Sequence, residues 1–148
     1  MGLLAVVAVF ALLVEAVWLL RRRWMLVTVS GPSMEPTLSD GDDILARRAR
    51  RARTGQIVVV AEPDPVLGWS QPPEARRFGG RPEGPYWVKR VAASPGEPMP
   101  GSQEPVPAGH YFLISDNPAG EDSRRHGPCP AAAVLAVMGR ELRRPPTS

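Results

Sequence analysis

The sequence predicts a mainly β domain behind one N-terminal transmembrane helix. Three observations carry this. Residues 3–20 are apolar apart from Glu15 and end against Arg21-Arg22-Arg23. The 18 prolines and 14 glycines among 148 residues punctuate short runs of β-branched and aromatic residues, the pattern of strands joined by turns. Behind the apolar stretch roughly 125 residues remain, enough for one modest core. The chain divides into an anchor, 1–23, a folded domain, 24–142, and a loose tail, 143–148.

The anchor comes first. Helix from Leu3 to Leu20 spans roughly 27 Å, close to the ~30 Å hydrocarbon core of a bilayer. A cleaved signal peptide would carry a basic n-region and a small-x-small cleavage site, and neither is present. Arg21, Arg22 and Arg23 place the following domain on the cytoplasmic side by the positive-inside rule. Glu15 is costly in lipid unless it reaches the interface.

The strands follow in order. Trp24 to Val29 is rich in β-formers. Ser30 to Pro36 holds two prolines, a glycine and two serines, and is a loop; Asp40-Gly41-Asp42 is a second turn. Asp43–Ala46 and Gln56–Ala61 read as strands, with Arg47, Arg48, Arg50, Arg51 and Arg53 on a solvated hairpin tip between them. Residues 62–85 are dense in Pro and Gly and form a short excursion. Tyr86–Ala92 and His110–Ser115 are strands followed by turns at Ser94–Glu97 and Asp116–Pro118. From Ala131 a short turn leads into a strand through Leu142, which Gly139 and the β-branched valines favour over a helix.

Composition excludes several classes. The lone Cys129, between two prolines, cannot form an internal disulfide and reads as packing. No set of Cys, His and carboxylates has metal-ligand spacing, so neither metal nor cofactor is expected. His126 reads as a neutral loop residue. The net charge of +3 and the arginine run fit contact with membrane lipid; no nucleic acid partner is expected.

The chemistry lies in two segments. Ser33 sits in a loop that Pro32 and Pro36 stiffen and in which Gly31 permits unusual dihedrals. Such a loop can aim a hydroxyl and leave backbone N–H groups for an oxyanion. Lys89 is the candidate base. A free lysine, pKa ~10.4, is charged at neutral pH, and burial against apolar groups favours the neutral amine. On a strand Trp87, Lys89 and Val91 share one face, while Arg90 points the other way, free to pair with a carboxylate.

These segments resemble peptidase family S26, the type I signal peptidases, serine proteases with a Ser/Lys dyad. Ser30 to Leu38 resembles the family's nucleophile box, and Asp40-Gly41-Asp42 the short box after it. Lys89-Arg90-Val91 with Pro95-Gly96-Glu97 resembles the lysine box, and Asp116-Asn117, Asp122-Ser123-Arg124 and Gly127 the closing box. The resemblance runs from Met25 to Leu142. It implies a signal-peptidase-like domain of coiled β-sheets and Ser33 and Lys89 as catalytic nucleophile and base. It further implies a nucleophile and oxyanion loop of Gly31, Pro32 and Met34, and support from Arg90, Asp116, Asn117, Asp122, Ser123 and Arg124. Arg90 with Asp116 matches a structural ion pair. The implied partners are preprotein leader peptides, cut after small residues, and an extracytoplasmic domain is implied against the reading from charge. Three residues depart from the pattern. Ser115 stands where the family usually has glycine, Gly120 where some members place a serine touching the lysine, and Gly31 where some offer a hydroxyl to the oxyanion hole.

Three alternatives stand beside this reading. One is a dedicated maturation protease of the same family, such as those trimming the leader of nickel superoxide dismutase. Another is a self-cleaving protein of the LexA type, disfavoured by the anchor and the closing box. The last is a non-enzymatic, membrane-tethered binding protein that uses the arginines.

Overall fold

The computed structural model describes residues 2–69 and 84–142. Most of the 62–85 excursion and the tail lie outside the described residues. An unbroken helix, α1 (Gly2–Arg23), runs directly into the first strand. Leu, Val and Ala fill it without a proline, and none of its residues is buried by the rest of the chain. A helix apolar all round needs an apolar surrounding. At 1.5 Å per residue it is roughly 33 Å long, sufficient to cross a bilayer.

The domain is one antiparallel sheet of seven strands: β1 (Trp24–Thr28), β2 (Asp43–Arg48), β3 (Ile57–Ala61), β4 (Tyr86–Ala93), β5 (His110–Ile114), β6 (Cys129–Pro130) and β7 (Val134–Leu142). Their spatial order is β1-β2-β7-β3-β4-β5-β6. The last long strand thus fills the middle of the sheet. This corrects one expectation. β2 and β3 both pair with β7 and not with each other, so residues 49–56 cross over the sheet and form no hairpin tip. A turn of 3-10 helix (Ala131–Ala133) precedes β7, in keeping with the expected turn and strand there. A one-turn helix, α2 (Ser123–His126), was not anticipated, and neither was the two-residue β6.

Period-two patterning divides the core between two faces. Met25, Val27, Ile44, Ala46, Ile57, Val59 and Val88 pack on one. Val58, Val60, Val91, Tyr111, Leu113, Val134 and Val137 pack on the other. β3 is buried along its whole length because both of its faces are covered, which explains its uninterrupted apolar run. Register shifts in β2–β7, β3–β7 and β4–β5 coil the sheet. At the first of these Gly139 is the unpaired residue, where a Cβ would come within 2.8 Å of the Trp24 ring.

Candidate active site

Ser33 lies on the loop joining β1 to β2. The base of that loop is closed by two hydrogen bonds, Val29 N–H to Asp42 O (2.7 Å) and Gly41 N–H to Val29 O (2.8 Å). Met34 and Leu38 are fully buried in the first core and hold the loop down. Gly31 takes φ +80°, which side-chain-bearing residues rarely adopt, and its N–H donates to Asp40 Oδ1 (2.7 Å). Gly31 therefore supplies conformation and no free donor, and Pro32 has no N–H at all. The N–H groups of Ser33 and Met34 have no acceptor among the described residues.

Lys89 occupies the other face. Its strand alternation carries it among Val58, Val60, Trp87 and Val91, and it is only 3% exposed. Its amine donates to Ser115 Oγ (3.0 Å) and lies 5.0 Å from the centre of the Trp87 ring. Burial lowers its pKa from the ordinary lysine range, against the opposing attraction of Asp122, Glu121 and Glu62. Trp87 is itself packed edge-on by Trp69 and His126, which extends the apolar cover. His126 also meets Glu121 (3.3 Å) and is a packing residue.

The segment after β5 joins the two halves. The β4–β5 pairing sets Arg90 opposite Ile114 and Val91 opposite Leu113, so one further step puts Ser115 opposite Lys89 on the same face. Two residues on, Asn117 donates its N–H to Ser33 O and its side-chain amide to Pro32 O, both at 3.0 Å. The first and third Cα atoms of a tripeptide are at most about 7 Å apart, two steps of the chain. The lysine amine and the serine backbone are thus tied to the two ends of Ser115–Asn117. The Ser33 hydroxyl makes no direct hydrogen bond to the amine.

The remaining expected residues brace this segment. Asp116 accepts from Arg90 Nε (2.8 Å) and Nη2 (2.7 Å) and from Thr37 Oγ1 (2.5 Å) in the serine loop. The Arg90 guanidinium holds the Asp116 carboxyl below the usual range, burial opposes this, and Thr37 adds to the lowering. Arg90 also donates to Gly55 O (2.8 Å). Asp122 caps α2, accepts from the Arg124 guanidinium (2.6 Å) and from Ser115 N–H (2.8 Å). Burial pushes its carboxyl up, but the bonds from Arg124 and Ser115 outweigh it and the net direction is down. Ser123 Oγ accepts from Leu113 N–H (2.9 Å). Gly127 closes α2, its N–H donating to Ser123 O.

Sequence reasoning missed the lysine's partner. Ser115 stood out only as a departure; the register of β5 against β4 was the available signal. Cys129 is buried, as its proline neighbours suggested, and burial pushes its thiol pKa up.

Comparison with known proteins agrees with this architecture. The model of the family described as "Signal peptidase, peptidase S26" matches residues 2–100. The mitochondrial inner membrane protease subunit 1 of Schizosaccharomyces pombe is 32% identical over 116 residues, covering 74% of this chain and 67% of that protein. An antiparallel β domain behind one apolar helix, with these similarities, defines a protease of the signal peptidase class. The chain belongs to peptidase family S26. The family match ends before Ser115.

Proposed function

We propose that this chain is a membrane-anchored serine endopeptidase that cuts leader peptides after small residues with Ser33 and Lys89. The observation that carries the reading is the burial of Lys89, whose surroundings favour the neutral amine. In the first step the Lys89 lone pair takes the Ser33 proton as Oγ attacks the scissile carbonyl. The oxyanion accepts from the uncommitted N–H of Ser33. Collapse breaks the C–N bond, and the departing amine takes the proton from the Lys89 ammonium. Water then hydrolyses the ester, with Lys89 again the proton acceptor, and Ser33 is restored. A loop held by buried Met34 and by Asn117 keeps the hydroxyl in position between steps.

The test is incubation of the full chain with alanine-ended leader peptides and mass mapping of the products. Ser33→Ala and Lys89→Ala should each abolish cleavage at the mapped site. Full activity in both would end the proposal. We place the domain outside the cytoplasm on a single span, against the pull of Arg21–Arg23; a compartment reporter at the C-terminus decides this. The same products separate a general leader peptidase from a dedicated maturation protease, since the latter would leave generic leaders uncut.

A further inference from the structure

The side chain of Ser115 and the absent side chain of Gly120 compete for one space beside Lys89. A Cβ at Gly120 would lie 2.3 Å from Ser115 Oγ and 2.5 Å from Ser115 Cβ, with Asn117 O next at 3.2 Å, a contact that a shift of a few tenths of an ångström relieves. Gly120 does not have a positive φ, so sterics alone, and no backbone strain, bar a side chain there. The Ser115 hydroxyl has one proton, and it goes to Glu121 O (3.2 Å). What it turns to Lys89 is therefore a lone pair, which accepts an N–H of the amine. A neutral amine held in this way keeps its own lone pair directed elsewhere, uncapped by any donor from Ser115. Ser115 is itself fixed, with its N–H on Asp122 and the residue as a whole only 5% exposed.

We propose that Ser115 is the positioning residue of the general base. In this chain the acceptor for the lysine N–H is supplied from position 115, and position 120 is glycine to make room for it. The inference rests on the proposed role of Lys89 as base. The charged groups facing that amine are Asp122 and Glu121 from the closing segment and Glu62 beyond β3; all three favour the ammonium and remain in the variants below. Ser115 also stabilises the ammonium more than the amine, because a hydrogen bond from a charged donor is the stronger.

Ser115→Ala should thus lower kcat roughly 10- to 100-fold with KM within about twofold, the loss expected of a misplaced catalytic group. Its acid limb in the pH–rate profile should move to lower pH. Gly120→Ser alone should impair the enzyme by the clash, whereas Ser115→Gly with Gly120→Ser should recover most activity. Full-length protein in detergent with a fixed alanine-ended leader peptide is the assay. Lys89→Ala is measured alongside: activity there would defeat the base assignment itself. With Lys89→Ala dead, an unchanged kcat and acid limb in Ser115→Ala would overturn the positioning role alone. Failure of the folded double variant to outperform Ser115→Ala would overturn the shared-space claim. If Ser115→Ala melts early, Ser115→Thr, which keeps the hydroxyl, takes its place: retained activity supports the role and loss equal to alanine refutes it.

Discussion

Exchanging Lys89 for methionine separates catalysis from stability. The amine is almost fully buried, and its hydrogen-bond acceptor among the described residues is Ser115 Oγ. Methionine keeps a similar length and apolar contact and removes the charge. Ser115 is not orphaned, because its proton stays on Glu121 O. The substitution forfeits one hydrogen bond, about 1 kcal/mol, and the attraction of nearby carboxylates. It also removes the cost of burying the amine, whether met by desolvating the ammonium or by releasing its proton, and even whole buried ion pairs exchanged for matched apolar groups stabilise by only about 1–4 kcal/mol. The balance expected is roughly 0.5–2 kcal/mol in favour of the variant, a rise in Tm of about 2–8 °C, with no peptidase activity. The pH dependence has a defined sign. The folded pKa of Lys89 lies below its unfolded value of ~10.4, so the unfolded chain binds more protons between those two values. Parent stability gains from this group as pH rises through that window, and Lys89→Met lacks the gain. Tryptophan-fluorescence melting of the full chain in detergent, from pH 6 to about pH 10, reads both. A variant that melts well below the parent would refute the reasoning, since it would make the amine a structural group.

Two further outcomes test the brace and the loop. Asp116→Asn should cost about 1–3 kcal/mol at pH 7, discounted because Arg90 is 30% exposed, and should reduce cleavage through the loosened Thr37 contact. The Asp116 pKa is depressed, so its contribution is full above ~3.9 and disappears as pH falls below that; the difference in Tm between parent and variant should shrink near pH 3, and a constant difference would count against the ion pair. Met34→Ala should cost about 2–4 kcal/mol by leaving a cavity under the serine loop, and should lower kcat as well; a stable but fully active variant would show that Met34 does not hold Ser33 in place.

Much of the fold was legible because its strands obey local rules. β1 alternates buried and half-buried residues, and β4 carries Lys89 and Arg90 to opposite faces, as period two requires. The Arg90–Asp116 pair followed from that alternation and from the resemblance together. The course of residues 49–56 was not legible. Two adjacent strands in sequence ordinarily pair, and nothing local announces that β7 will come between them. α2 escaped notice because four residues are too few for helical periodicity; its sign was Asp122 as cap, which also serves Ser115.

The amino-acid order by itself determined the apolar helix, the strand positions, the stiff serine loop and the family, since these depend on neighbours a few residues apart. Tertiary structure alone decided how deeply Lys89 is buried, that its partner is Ser115, and that Asn117 ties the serine loop to the same tripeptide. The physical reason is that desolvation and hydrogen-bond partners depend on strand register, and register is set by pairing between segments far apart in the chain.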